Sequence, residues 1–127
     1  VNTVLKAVRR LELLRGDTVL VAGQGPIGLM FTKLLKLEGA RVIATDLLPK
    51  RLKLARQFGA AAAWEANDPK LSERIARFTQ KRGLDAVVVA VPSDAVVQQA
   101  LGWLRGAGKV MLFAHTKRGT LSQLDFS

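Results

Sequence analysis

Three glycines spaced as Gly-x-Gly-x-x-Gly are the residues of this chain whose types and spacing first predict chemistry. They are Gly23, Gly25 and Gly28, with Pro26 and Ile27 between the last two. Glycines at this spacing allow a tight turn, a close approach of the backbone to a phosphate and close packing of the helix that follows. Free N–H groups at a helix start also favour negative charge. The stretch therefore predicts a pyrophosphate-binding loop, provided that a strand precedes it and a helix follows.

A carboxylate follows at the distance that such a loop requires. Asp46 ends the next β-branched run and lies 18 residues beyond Gly28 (46 − 28 = 18). An acidic residue about 20 residues on hydrogen-bonds the adenine-side ribose in dinucleotide-binding proteins, and its charge repels the 2′-phosphate of NADP. The pattern favours NAD over NADP, although Lys50 and Arg51 could neutralise an additional phosphate.

Two other interpretations of the glycine loop remain open. Methyltransferases that use S-adenosylmethionine carry a similar glycine loop and a similar acidic residue. Alternatively, the glycines form only a tight turn, and Asp46 caps the next helix. The elements around the loop bear on this choice, because the motif gains meaning only between a strand and a helix.

Short β-branched runs alternate with helical patterns along most of the chain. Strands are predicted at 18–22, 41–46, 61–64, 86–91 and 109–114. Helices are predicted at 1–14 and between the strands, with starts at Pro26, Pro49, Asp68 (followed by Pro69) and Ser93. This alternation predicts an α/β fold, a doubly wound parallel sheet of Rossmann type with helices on both faces. The last stretch, residues 115–127, has turn chemistry and then a mixed pattern that predicts no particular element.

Composition limits the classes of function. The 127 residues are 49% hydrophobic and 24% charged, which is typical of one globular domain, and no apolar run has the ~20 residues of a membrane helix. With no cysteine and one histidine, the chain cannot build a disulfide, a thiolate nucleophile or a Cys/His zinc site. The first residue is Val1 with no leader pattern after it, so we expect a cytoplasmic protein and a chain excised from a longer one.

The formal charge of +10 favours anionic ligands but does not identify one. Basic residues occur in several short groups without interleaved aromatic residues, which a single-strand binder would need. The basic residues at 70, 74, 77 and 81 are expected to form a solvated helix face. Nucleic acid is therefore not the expected partner.

Three segments together resemble the coenzyme domain of the zinc-dependent medium-chain alcohol dehydrogenases. They are residues 19–30 with the Gly-Pro-Ile-Gly form of the loop, 39–46 ending in Asp46, and 50–60. The resemblance is closest to the sorbitol and threonine dehydrogenase branch and covers essentially the whole chain.

This resemblance implies an oxidoreductase in which residues 1–127 hold NAD. A separate domain would supply the catalytic zinc and the pocket for a small alcohol or polyol, so the chain alone would not turn over. Arg51 would lie near the adenosine end of the cofactor, and Val91, Phe113 and Ala114 would line its ribose and nicotinamide end. The resemblance also implies that the chain lacks the last strand of the sheet, and that a homo-oligomer is one arrangement of the full protein.

Two rival functions come from other classes of protein. One is a stand-alone module that senses NAD or NADH and performs no chemistry. The other is a basic nucleic-acid-binding domain in which the glycine loop is only structural. The one histidine, His115, has no predicted partner for proton transfer and is expected at a surface or an interface.

Overall fold

The alternation of strands and helices predicted from the sequence is present in the computed structural model, which describes residues 2–115 and 121–126. The helices are α1 (Asn2–Arg10), α2 (Pro26–Leu37), α3 (Pro49–Gln57), α4 (Leu71–Phe78) and α5 (Asp94–Trp103). The strands are β1 (Thr18–Ala22), β2 (Arg41–Asp46), β3 (Ala62–Glu65), β4 (Leu84–Val89), β5 (Leu104–His115) and β6 (Leu121–Phe126). In these two ranges no helix has the length and apolarity needed to cross a membrane.

The strands form one sheet in the order β3-β2-β1-β4-β5-β6. Strands β1 to β5 are parallel to one another, and β6 runs antiparallel to β5. The predicted doubly wound parallel sheet is thus confirmed, and its parallel part has five strands within the described residues. The position beyond β5 is filled by the antiparallel strand β6, which the sequence did not predict. The direction of winding reverses between β1 and β4, and α/β sheets bind ligands at such a switch point.

Helices cover both faces of the sheet, as predicted. Val19 and Val21 of β1 pack with α1 and α2 on one face, whereas Leu20 and Ala22 pack with α4 and α5 on the other. This division follows from the alternation of side chains along a strand. Strand β4 is buried along its whole length, which explains its valine-rich sequence. Each fully buried valine or leucine contributes about 1.5–3 kcal/mol of apolar transfer energy. Burial on both faces therefore stabilises the central strands β1 and β4.

Several element boundaries differ from the sequence prediction. Helix α4 begins at Leu71 rather than at Pro69, and Asp68 does not cap it in the predicted position. The Asp68 carboxylate instead accepts the Lys70 N–H and pairs with Arg74, both at 2.8 Å, and these contacts lower the pKa of Asp68, the Lys70 hydrogen bond most. Ser93 caps α5 as predicted, because its Oγ accepts the N–H three residues later.

Helix α1 ends at Arg10, four residues before its predicted end. Glu12 has a positive φ of 50°, a conformation that a helix cannot continue through. The Lys109 Nζ donates to the Leu11 carbonyl at 2.8 Å, which satisfies one of the carbonyls left at the helix end. The lead-in helix is thereby tied to β5.

Candidate dinucleotide-binding site

The glycine loop lies at the carboxyl end of β1, where three strands are held together. The Gly23 N–H donates to the Thr45 carbonyl on β2 at 2.8 Å. On the other side, the Ala90 N–H after β4 donates to the Ala22 carbonyl at 2.8 Å. The loop thus starts from a fixed point at the switch of the sheet.

The three glycines meet different surroundings. Gly23 has a φ of +97°, and a Cβ on it would lie 2.6 Å from Val91 Cγ1. A Cβ on Gly28 would lie 1.7 Å from the Gly23 carbonyl oxygen, which is backbone and cannot move aside as a side chain could. At Gly25, by contrast, no heavy atom of the described chain outside residues 24–26 lies within 4 Å of such a Cβ, and φ is an ordinary −71°. The protein's own packing requires glycine at 23 and 28, and it leaves open space at 25.

The start of α2 supplies free N–H groups beside this space. Pro26 occupies the first turn and has no N–H, and no side chain of the described residues caps the helix. The first hydrogen bond of the helix runs from the Leu29 N–H to the Gly25 carbonyl at 2.9 Å. The N–H groups of Ile27 and Gly28 precede that bond, so helix geometry gives them no carbonyl partner. An anion beside Gly25 would meet these donors and the positive end of the helix.

The Asp46 carboxylate is held in one orientation next to the loop. Its Oδ2 accepts the Gln24 N–H at 2.7 Å and its Oδ1 accepts the Leu48 N–H at 2.9 Å, while the side chain is only 6% exposed. Arg51 Nη1 lies 3.7 Å from Oδ2. A carboxylate has about four acceptor positions, so capacity remains for further donors such as sugar hydroxyls.

A cleft of about 510 Å³ opens beside Asp46 between the strand ends and α4 and α5. Four of the predicted site residues line it: Gly23, Asp46, Arg51 and Val91. Its other walls are mainly apolar, from Leu47 and Leu48 after β2 to Trp103 at the end of α5. The Trp103 indole N–H donates to Ser72 Oγ at 3.0 Å, which fixes the ring against α4. The cleft combines a polar edge with an apolar interior, as small-molecule sites do.

The Phe113 side chain does not join this cleft. It is 1% exposed and packs edge-to-face on Phe31 of α2, with ring centroids 5.0 Å apart. The alternation of side chains along β5 turns it toward the α1 and α2 face, and its place at the nicotinamide end stays a prediction. The backbone of Ala114 and His115 lies at the end of β5, but the side chains of these two residues are not described.

Several residues of the site were not predicted from the sequence. Leu47 and Leu48 are exposed leucines that directly follow Asp46 at the end of β2. Two leucines next to the predicted ribose-binding carboxylate could have indicated an apolar wall of the site. Trp103 also lines the cleft, and its place there depends on how α5 crosses the sheet. Gln24 is fully buried beneath the loop, and its residue type carries no sign of that burial.

Residues 26–126 match the sequence model of a protein family described as zinc-binding dehydrogenase. The chain belongs to the zinc-binding dehydrogenases. This confirms the resemblance drawn from the glycine loop and Asp46, and it places the chain in a family of oxidoreductases.

Named relatives of this zinc-binding dehydrogenase chain include polyol and amino-alcohol enzymes. It is 34% identical over 109 residues to a sorbitol dehydrogenase of Bacillus subtilis, covering 85% of this chain and 31% of the relative. It is 33% identical over 98 residues to an L-threonine 3-dehydrogenase of Idiomarina loihiensis, covering 76% and 29%. An alcohol dehydrogenase structure from Thermus sp. ATN1 superposes with a TM-score of 0.82 at 31% identity, covering 91% and 34%. The chain spans about a third of the length of these relatives.

The zinc of the family does not fit the residues of this chain. The sequence has no cysteine and a single histidine. Residues 2–115 and 121–126 contain no group of three or more His, Cys, Asp or Glu side chains that could hold a metal ion. Zinc sites in proteins are built from such groups, so no chemical step at a metal can be derived from these side chains.

Proposed function

We propose that this chain is the NAD-binding domain of a zinc-dependent oxidoreductase that transfers hydride between NAD and a secondary alcohol or polyol. The observation that carries the proposal is the open space at Gly25, which adjoins both a helix N-terminus with free N–H groups and the fixed Asp46 carboxylate. A pyrophosphate joined to an adenosine ribose has the shape and charge for this arrangement.

The pyrophosphate is assigned to the glycine loop. Backbone groups of Gly23, Gly25, Ile27 and Gly28 would hold it, with Pro26 setting the direction of the first turn. Gly25 keeps its side of the loop free, so the phosphate oxygens can approach the backbone without meeting a Cβ. Charge-assisted hydrogen bonds of this kind are about twice as strong as neutral ones, which favours the doubly charged pyrophosphate over a neutral ligand.

The adenosine end is assigned to the cleft beside Asp46. The carboxylate would accept the ribose hydroxyls, Arg51 would lie over the adenosine, and Leu47 and Leu48 would flank the faces of the adenine ring. Val91 keeps its predicted place toward the ribose and nicotinamide end. A 2′-phosphate would meet the negative charge of Asp46, and this supports NAD over NADP. A mycobacterial structure that is 30% identical to this chain is a complex with NADPH, so the preference rests on Asp46 itself and not on the family.

The chemistry of the whole enzyme is inferred from the relatives. The nicotinamide ring supplies hydride transfer at its C4 atom when NAD is bound, and the residues described here contribute placement of that ring. The names of the relatives support a secondary alcohol or polyol as substrate. The zinc and the substrate pocket are assigned to a separate domain of a longer protein, so we expect the 127-residue chain to bind cofactor without turnover.

Tryptophan fluorescence tests where the adenosine binds. Trp103 lines the cleft, whereas Trp64 on β3 packs against Phe78 with ring centroids 5.9 Å apart. Titration with ADP-ribose should change the emission spectrum, because an adenine in the cleft alters the surroundings of the Trp103 indole. The variant Trp64→Phe should retain this change and Trp103→Phe should lose most of it. A change carried by Trp64 instead would place the ligand elsewhere.

A further inference from the structure

The side chain of Gln24 is the polar group of the glycine loop that is buried in the protein. It is 0% exposed although it carries an amide, and both ends of that amide are hydrogen-bonded. Its Nε2 donates to the Val21 carbonyl at 3.0 Å, and its Oε1 accepts the Thr32 hydroxyl at 2.9 Å. A buried amide is tolerated only when it is satisfied in this way.

These contacts join the elements on both sides of the loop. Val21 lies on β1 before the glycines, and Thr32 lies on the second turn of α2 after them. The backbone N–H of Gln24 also donates to Asp46 Oδ2, so one residue is tied to β1, α2 and the end of β2. The loop itself cannot supply this restraint, because its glycines have no side chains and Gly25 has open space around it.

We propose that Gln24 is a positioning residue for the cofactor, although it does not face the space in which the cofactor would bind. Its side-chain amide fixes the path of the backbone from Gly23 to Gly28, so the free N–H groups of Ile27 and Gly28 point together at the pyrophosphate before it arrives. Its backbone N–H keeps Asp46 oriented toward the ribose. The inference rests on the proposed function, since it concerns the ligand assigned to this loop.

A role in packing alone predicts a different outcome from a role in positioning. An apolar side chain of similar length fills the same volume between β1 and α2, at the cost of the acceptor for the buried Thr32 hydroxyl. It cannot hold a hydrogen bond at either end, so the loop gains conformations that must be lost again when the ligand binds. A loop that is already ordered before binding avoids this loss of conformational entropy. The loss therefore lowers the affinity for the ligand more than it lowers the free energy of unfolding.

The variant Gln24→Met separates these roles, because methionine keeps the length and removes both side-chain hydrogen bonds. The dissociation constants of ADP-ribose and of adenosine are measured by calorimetry on the purified chain, well below the unfolding temperature. We expect ADP-ribose to bind about tenfold more weakly, the equivalent of roughly one to two net hydrogen bonds, and adenosine to change much less. Thr32→Val should weaken ADP-ribose binding in the normal chain and have little further effect in the Gln24→Met background. Lys33→Met, on the exposed side of α2, is the control.

Hydrogen exchange of the loop amides gives a second measurement that needs no ligand. In Gln24→Met the hydrogen-bonded amides of Gly23, Gln24 and Leu29 should exchange faster, while those of β1 keep their protection. Unchanged exchange in this loop, or equal losses of affinity for ADP-ribose and adenosine, overturns the positioning role. If the normal chain binds no dinucleotide, the proposed function fails, and the exchange experiment still decides whether Gln24 orders the loop.

Discussion

The substitution Gly28→Val is expected to abolish measurable dinucleotide binding and to destabilise the protein by about 3 kcal/mol or more, the upper range for overpacking. The Cβ alone would lie 1.7 Å from the Gly23 carbonyl oxygen and 2.7 Å from its carbon. Relief requires the start of α2 to move away from the end of β1, and this movement opens the loop that would hold the pyrophosphate. Chemical denaturation and a cofactor titration measure the two effects.

The substitution Gly25→Ala is the matched control in the same loop. No heavy atom of the described chain outside residues 24–26 lies within 4 Å of the added Cβ, and the φ of −71° suits alanine. The loss of a favourable cap residue and the reduced entropy of the unfolded chain oppose each other, so stability should change by less than about 1 kcal/mol. Binding should nevertheless weaken about tenfold or more, because the methyl group enters the space assigned to the phosphates. Normal binding by Gly25→Ala would contradict that assignment.

The substitution Asp46→Asn is expected to reduce the preference for NAD over NADP by about tenfold or more, through loss of the charge that repels a 2′-phosphate. Arg51 Nη1 now lies 3.7 Å from Asp46 Oδ2, and without that carboxylate it becomes free to pair with the added phosphate. The amide can accept only one of the two N–H groups that Asp46 accepts now, so stability should fall by about 1–2 kcal/mol. Titrations with NAD and NADP measure the ratio of affinities directly.

The double variant Asp46→Asn with Arg51→Gln tests the cause of this shift. If Arg51 receives the 2′-phosphate, the gain in NADP affinity relative to NAD should disappear in the double variant, while the lost contact with the adenosine should weaken both cofactors about equally. Unchanged selectivity in Asp46→Asn would remove Asp46 from its role at the ribose. A gain in NADP affinity that survives the loss of Arg51 would assign the phosphate to another cation, such as Lys50.

The polar edge of the site could be predicted from the sequence because its signals are local. Gly23, Gly25 and Gly28 follow one strand directly, and Asp46 ends the next. Parallel pairing of β1 with β2 then brings them together, as Ala22 lies opposite Thr45 in the register. Spacing along the chain was sufficient to predict that these residues lie together and to predict the order of the elements from α1 to β5.

The apolar walls and the support beneath the loop could not be predicted in the same way. The place of Trp103 depends on how α5 crosses the sheet, which the helical pattern does not specify. The direction of Phe113 follows from the register of β5, and that strand contains an irregularity between its pairings with Leu84 and Ala86. The burial of Gln24 depends on the closeness of β1 and α2, and a polar residue type predicts exposure instead.

The most direct measurement is a calorimetric titration of the purified 127-residue chain with NAD, NADH, NADP and S-adenosylmethionine at moderate salt. The proposed function predicts saturable binding of one dinucleotide per chain, tighter for NAD or NADH than for NADP, and no comparable binding of S-adenosylmethionine. A folded chain that binds S-adenosylmethionine in preference, or that binds none of the four, would contradict it.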